Sequence, residues 1–262
     1  MKVDRACSLD WLIILTTGRA GSTTILNMLN AIPQIAITGE LNADHPRFPG
    51  HSGHVLRLLF DVLDASTSAT VVGLPGDPSY AAPQVPRLRQ HMCGWIRDML
   101  PPDRSGLPRY HGFKALLQHV PNFNRTIELF GEGSIRVVRN YRIDLEAQAR
   151  SMMLSKVFSP DVTLADALAR VQRDTSRLHA MTAGVRSFDL PLERFNTHHF
   201  NNLLAFLDIR NCSFSRVLRS NANGTFGDSL DASSRGLVKG ECARASRQKV
   251  AGGTARRRRR RS

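Results

Sequence analysis

The chain of 262 residues lacks several features that mark particular classes of protein. No apolar run approaches the 18 or more residues of a membrane-spanning helix, so we expect no transmembrane segment. The first ten residues are polar, and the apolar run that follows them is too short for the core of a signal peptide. These absences predict a cytoplasmic protein, or a Golgi-luminal one if an N-terminal anchor is missing from this chain.

Cysteine is also scarce, with four residues that lie far apart and form no C-x-x-C pair: Cys7, Cys93, Cys212 and Cys242. This spacing indicates neither a zinc site nor a disulfide framework. Three N-x-S/T sequons begin at Asn124, Asn211 and Asn223. They would matter only in a secretory compartment, because N-linked glycans are added there.

Acidic residues are few relative to basic ones, and the imbalance is concentrated near the end of the sequence. The formal net charge is +14, and residues 231–262 hold nine of those charges, six of them as consecutive arginines at 256–261. This segment is too poor in large apolar residues to bury a core. We therefore predict a domain over 1–228 and a disordered basic tail over 229–262. The tail is either an arm for anionic partners or a solvated extension.

The most informative stretch that is present is WLIILTTGRAGSTTILNML, residues 11–29. Its first five residues form a short apolar run, which is typical of a buried parallel strand. Gly18 and Gly21 permit a sharp turn, and three hydroxyl residues stand where a helix would begin: Ser22, Thr23 and Thr24. A strand, a glycine-rich loop and a helix N-terminus together bind anions, above all phosphate. The alternative is an ordinary strand-to-helix turn in which these hydroxyls are only caps.

The loop differs from a Walker A loop, which carries a lysine directly after its second glycine. Here Ser22 follows Gly21, and the only cation, Arg19, lies between the two glycines. The string resembles the 5′-phosphosulfate loop of sulfotransferases that use 3′-phosphoadenosine 5′-phosphosulfate (PAPS). The resemblance implies that Arg19 is catalytic and that the loop holds the cofactor through Thr17, Gly18, Arg19, Ala20, Gly21, Ser22, Thr23 and Thr24.

Further segments resemble the same family, in the same order along the chain. A second strand ends at Gly39-Glu40, similar to the G-E of bacterial and carbohydrate sulfotransferases, which implies that Glu40 is the general base. YHGFKALL resembles a strand whose lysine, here Lys114, lies near the cofactor. FDLPLERFN and NNLLAFLDI resemble two late segments of the family. The resemblance spans roughly residues 10–226 but leaves most of 44–109 unmatched.

The segment SIRVVRNYRIDLEAQARSM resembles the 3′-phosphate segment of the family, where an arginine closes a strand and a serine follows on a helix. The resemblance implies that Arg139 and Ser151 bind the 3′-phosphate. The spacing departs from the family, because the serine is expected eight residues after the arginine. Ser151 is twelve residues beyond Arg139 and nine beyond Arg142. Three arginines in this stretch are otherwise interpreted as solvated charges: Arg136, Arg142 and Arg150.

Alternating strands and helices predict an α/β fold, a three-layer domain with a central parallel sheet. The resemblance implies a P-loop NTPase-like sulfotransferase fold. It also implies transfer of a sulfuryl group from PAPS to a small-molecule or glycan acceptor, with PAP as product and without a metal. The acceptor is a hydroxyl, most simply of a carbohydrate, or an amine. Two other classes stay open: a nucleotide or sugar kinase with a variant P-loop, and a non-catalytic basic binding protein.

Histidines cluster directly after Glu40, in the loop DHPRFPGHSGH: His45, His51 and His54. The spacing allows a metal site, but beyond Asp44 no cysteine or carboxylate completes one. We favour a solvated, substrate-facing loop, with His45 as the second candidate for the base.

Overall fold

The computed structural model describes residues 10–40, 108–120, 123–130, 132–155, 157–218 and 236–242. Its strands are β1 (Asp10–Thr16), β2 (Ile35–Glu40), β3 (Tyr110–Leu116), β4 (Ile135–Asn140), β5 (Ser187–Asp189), β6 (Cys212–Phe214) and β7 (Val238–Gly240). Its α-helices are α1 (Ser22–Asn30), α2 (Phe123–Phe130), α3 (Leu145–Leu154), α4 (Leu164–Met181) and α5 (Thr197–Phe206).

Five strands form one parallel sheet in the order β2-β3-β1-β4-β5. The strand β1 is central, so its Leu15 lies between Ala115 of β3 and Arg139 of β4. Because all five strands are parallel, their carboxyl ends meet at one edge of the sheet, where ligands of open α/β folds bind. The phosphate-loop candidate leaves β1 at this edge.

Both faces of the sheet are covered, which explains why β1 is a continuous apolar run. Trp11 and Ile13 pack on one face beneath α2 and α4, with Phe130 and Leu178 in the same cluster. Leu12 and Ile14 pack on the other face beneath α1 and α5. A strand places successive side chains on opposite faces, so two covered faces require apolar residues at every position. The predicted three-layer α/β fold with a central parallel sheet is confirmed.

Arg136 is part of an ion-pair network at the amino edge of the sheet, and the interpretation of it as a solvated charge is wrong. Its side chain is buried, with Nη1 3.3 Å from Asp10 Oδ2 and Nη2 3.1 Å from Asp208 Oδ2. Arg109 reaches both of these carboxylates, and Arg186 reaches Asp208. Position 136 is the second residue of β4, so the sheet carries the guanidinium between these acidic groups, and removing both carboxylates would leave a buried charge unpaired.

The structure corrects two expectations for the end of the chain. Residues 236–242 belong to the fold: β7 pairs antiparallel with β6, and Leu237 is fully buried. Cys212 and Cys242 form a disulfide 30 residues apart in sequence. Composition predicted a disordered tail from 229, because charge content outweighs the few apolar residues that decide packing here. The wide spacing of the cysteines indicated no disulfide framework. The rest of the tail lies outside the described residues, so its disorder stays a prediction.

We expect Cys212→Ser to lower the free energy of unfolding by about 3–4 kcal/mol, the loss predicted for opening a loop of this length. Urea unfolding of the purified protein measures the change. Dithiothreitol should lower the stability of the wild type to the level of Cys212→Ser and leave the variant unchanged. Ser213→Thr, one residue away, is the control, and like Cys212→Ser it keeps the Asn-x-Ser/Thr pattern that begins at Asn211. Equal stability of Cys212→Ser and wild type under oxidising conditions would contradict the structural role of the disulfide.

Candidate anion-binding cleft

The loop between β1 and α1 has three residues in the left-handed region: Gly18 (φ 83°), Arg19 (φ 50°) and Gly21 (φ 81°). Tight turns of this kind often expose backbone N–H groups in a concave anion site. A Cβ at Gly21 would lie only 2.7 Å from Leu192 Cδ1, so a side chain does not fit there. Arg19 holds this conformation at a cost of about 1–2 kcal/mol, a strain of the kind that clusters at functional sites.

The N-terminus of α1 opens onto the same cleft without a neutralising group. Its N-cap residue is Gly21, so no side chain caps the first turn, and the turn contains no acidic residue. The unpaired N–H groups and the positive end of the helix dipole therefore remain available to a ligand. Hydroxyls of Ser22, Thr23 and Thr24 stand beside them. The local structure fits a phosphate rather than an ordinary capped turn.

Asn140, at the end of β4, fastens the loop to the sheet. Its Oδ1 accepts a hydrogen bond of 2.9 Å from the Thr16 hydroxyl, which in turn accepts one from the Gly18 N–H. Its Nδ2 donates to the carbonyl oxygens of Ala20 (2.8 Å) and Leu190 (3.0 Å). The side chain is fully buried. Sequence reasoning missed Asn140, although a buried-strand pattern that ends in an amide was a usable signal.

Gln148 ties the helix α3 to the other side of the loop. Its Nε2 donates to Thr17 Oγ1 at 2.8 Å and to the Gly18 carbonyl at 2.6 Å. The side chain is fully buried, although it lies on a short helix near solvent. The sequence provides no separate signal for this residue, because a polar side chain in a helix is usually solvated. Its role comes from the docking of α3 against the loop.

The cleft lies between the loop, the end of β3 and the helices α3 and α4, with a volume of about 530 Å³. This is within the range of small-molecule sites. It is lined by Thr16, Thr17, Gly18, Arg19, Gly21, Ser22, Thr23, Thr24, Lys114, Leu116, Leu117, Gln118, Arg142, Ser151, Met152, Ser155, Val157, Asp174 and Leu192. Three cations and one carboxylate are in this set, so the lining is basic.

Most of the site residues predicted from sequence lie in this one cleft. The loop residues, Lys114 and Ser151 come from three separated parts of the chain, and Arg19 Nε lies 3.4 Å from Ser151 Oγ. Lys114 is nearly buried. Ala20 is the exception within the loop, since it is fully buried behind the lining, with its carbonyl bound to Asn140.

Arg139 lies outside the cleft, contrary to the prediction that it faces the cofactor. It pairs across the sheet with β5, with Nη2 2.7 Å from Asp189 Oδ2. The strand β4 continues to Asn140, so the first arginine that can turn toward the cleft comes after the strand. That residue is Arg142, which lines the cleft together with Ser151.

Glu193 holds Arg142 in place from a turn that follows β5. Its Oε1 lies 3.3 Å from Arg142 Nε, and its carboxylate accepts hydrogen bonds from the N–H groups of Ile143 (2.9 Å) and Asp144 (3.3 Å). Burial raises the pKa of Glu193, but hydrogen bonds from these backbone groups, its own backbone and Arg142 outweigh burial and hold the pKa below its ordinary value. The carboxylate is therefore ionised at neutral pH and orients Arg142.

Glu40 closes β2, and its backbone pairs with Lys114 after a bulge. This places position 40 at the carboxyl edge, while the placement of the Glu40 side chain lies outside what the structure describes. His45, His51 and His54 also lie outside it. Within the described ranges, no three His, Cys, Asp or Glu residues are grouped as a metal site would need. No helix of those ranges is long and apolar enough to cross a membrane.

Comparison with known proteins identifies no family. No family model and no curated protein sequence matches the chain. Similar solved structures include the YorR protein of Bacillus subtilis in complex with phosphorylated GDP (11% identity, TM-score 0.39, covering 75% of this chain and 95% of that chain). A second is a sugar kinase from Janibacter sp. HTCC2649 (16% identity, TM-score 0.39, covering 77% of this chain and 96% of that chain). A third is the sulfotransferase STF9 from Mycobacterium avium (11% identity, TM-score 0.40, covering 78% of this chain and 66% of that chain). At these values the function has to be inferred from the cleft itself.

We expect Asn140→Asp to destabilise the fold by about 3 kcal/mol or more, because it removes two donors and buries a charge beside two carbonyl oxygens. The loss should be smaller at pH 4, where a protonated carboxyl donates again. Urea unfolding at pH 4 and pH 7 measures both effects. Asn202→Asp, an exposed amide on α5, is the control and should change stability by about 0.5 kcal/mol or less. A similar small change at Asn140 would mean that the amide does not hold the loop.

Proposed function

We propose that the protein is a sulfotransferase that moves a sulfuryl group from PAPS to an acceptor hydroxyl, most simply that of a carbohydrate. One observation supports this: the loop with its internal Arg19 lines the same cleft as a second group of side chains that can bind an anion. This second group lies on and just before α3 and consists of Arg142 and Ser151. PAP carries phosphates at its 5′ and 3′ positions. A ligand with two separate phosphates needs two such places.

The loop residues fit the 5′-phosphate of PAPS. Gly18, Arg19 and Gly21 line the cleft, and the uncapped N-terminus of α1 adds its first N–H groups and its dipole. The cations Arg19, Lys114 and Arg142 balance the charge of a polyanionic nucleotide. Within the described part of the lining, Asp174 is the one opposing carboxylate.

For the 3′-phosphate we propose Arg142 with Ser151, in place of Arg139 with Ser151. Ser151 is nine residues beyond Arg142, one more than the family spacing that the sequence resembles. Arg142 lines the cleft, and the ionised Glu193 holds its guanidinium while leaving other N–H donors for a ligand. Arg139 is committed to Asp189.

In this proposal PAPS, when bound, supplies an activated sulfuryl group, and the chain supplies charge and a base. Arg19 neutralises the negative charge that develops on the bridging oxygen as the sulfur–oxygen bond breaks. Glu40 accepts the proton of the acceptor hydroxyl as the new sulfur–oxygen bond forms. Its position at the carboxyl end of β2, paired with the cleft residue Lys114, supports this role. Holding both partners in line is the contribution of the rigid loop.

The kinase alternative shares the strand, loop and helix but requires a lysine after the second glycine, where this chain has Ser22. Its cation at that point would have to be Lys114, from a different strand. Asp174 is the cleft carboxylate that could accompany Mg²⁺ in such a site. The two functions therefore differ in the nucleotide that the cleft binds.

We expect PAP at 100 times its dissociation constant to stabilise the folded protein by about 2.7 kcal/mol, and ATP with Mg²⁺ to do little. Thermal unfolding with each nucleotide measures this difference. Transfer from labelled PAPS to a panel of glycans and small alcohols then identifies the acceptor. Stabilisation by ATP with Mg²⁺ and not by PAP would favour the kinase. Stabilisation by neither would favour a non-catalytic binding protein.

We expect Arg142→Ala to weaken PAP binding by about 10- to 100-fold, the range for losing a hydrogen bond to a charged group. Binding of adenosine 5′-phosphosulfate, which lacks the 3′-phosphate, should change far less. Ser151→Ala should follow the same pattern with a smaller loss. Titration calorimetry gives the ratio of the two nucleotides' dissociation constants. Arg150→Ala is the control, since Arg150 is an exposed arginine on α3 that pairs with Glu146. If Arg139→Ala rather than Arg142→Ala changes the ratio, the assignment is reversed.

A further inference from the structure

The disulfide between Cys212 and Cys242 is built into the core rather than added at the surface. Its Cα atoms are 5.5 Å apart, an ordinary separation for a disulfide. Cys242 is 1% exposed and packs in the cluster that lies beneath α1 and α5. The neighbouring backbone is tied as well, since the Glu241 N–H donates to the Asn211 carbonyl at 2.9 Å. Disulfides of this structural kind form and persist mainly in oxidising compartments.

Asn211 begins one of the sequons, Asn-Cys-Ser, and lies directly before β6. It is exposed, and its φ of 61° is a left-handed conformation that asparagine tolerates better than most residues. The fold uses its carbonyl, through Glu241. A glycan on the side-chain nitrogen would therefore extend into solvent without disturbing the β6–β7 pair. Cys242 is made 30 residues after Cys212, so this sequon can be modified before the disulfide closes.

Asn124 begins a second sequon, Asn-Arg-Thr, in the first turn of α2. The asparagine is exposed, whereas Thr126 is 1% exposed. The threonine hydroxyl that an N-glycosylation sequon requires is therefore inaccessible in the folded domain. Modification at Asn124 has to precede folding, as happens when a chain is glycosylated during translocation, and the finished glycan would then lie on the surface.

We propose that the protein matures in an oxidising secretory compartment, where Cys212 pairs with Cys242 and where Asn211 and Asn124 carry N-linked glycans. Disulfide formation removes two electrons and two protons from the thiols, and the oxidant is the thiol–disulfide exchange system of that compartment. The proposal rests on the disulfide and the exposure of the two asparagines, and it stands independently of sulfuryl transfer.

The test is to produce the full chain in one eukaryotic cell line, once behind a cleavable signal peptide and once in the cytosol. Peptide mapping without reductant should find the linked Cys212–Cys242 peptides in the secreted protein. Digestion with peptide-N-glycosidase F should remove glycans and convert Asn211 and Asn124 to aspartate. Asn211→Gln and Asn124→Gln should each remove one glycan. Ser213→Thr and Thr126→Ser, which keep the sequons, should retain both.

The cytosolic protein should contain free thiols and no glycan, and its thermal midpoint should lie below that of the secreted protein. Secreted, folded protein without the Cys212–Cys242 link would overturn the compartment assignment. A linked protein with neither asparagine modified would overturn the glycan sites, and modification of one asparagine alone would remove the other from the proposal. PAP binding is measured on both preparations. This measurement distinguishes failure of the compartment or glycan assignment from failure of the proposed sulfotransferase function.

Discussion

A single buried amide, that of Asn140, supports the functional end of the molecule. It connects the last residue of β1, the loop carbonyl at Ala20 and the backbone at Leu190, and no other group could replace it without leaving buried carbonyls unpaired. Arg19 is strained in its left-handed conformation, so the loop needs such an anchor to keep its shape. Gln148 completes the support from α3. The loop is thus held from both sides before any ligand arrives.

Charge is distributed unevenly between the two edges of the sheet. At the amino edge, Arg109, Arg136 and Arg186 face Asp10 and Asp208, so positive charge is largely compensated. At the carboxyl edge, the cleft gathers cations beside a helix N-terminus with a single carboxylate in its described lining. The excess of cations in the described lining of the cleft would concentrate an anionic nucleotide there.

The fold was predictable because its signals are local. A strand covered on both faces must be apolar throughout, and a loop with Gly18 and Gly21 before hydroxyl residues predicts a helix N-terminus. The positions of Arg136 and Arg139 were not predicted correctly, because their partners are distant along the chain. Arg139 and Arg142 look equivalent in sequence, and only the end of β4 and the pairing with Asp189 separate them. Arg136 was interpreted as solvated because its two acidic partners are distant along the chain.

The sequence by itself determined the layer architecture, the position of the candidate phosphate loop and its departure from the Walker pattern, since each follows from residues that are neighbours in the chain. The tertiary structure decided which side chains share the cleft, because Lys114, Arg142 and Ser151 meet the loop only when parallel strands bring their carboxyl ends to one edge. It also decided that Cys212 reaches Cys242. Their pairing requires residues 236–242 to pack against β6, although the composition of this part of the chain argues against packing. Leu237, in the same segment, is fully buried.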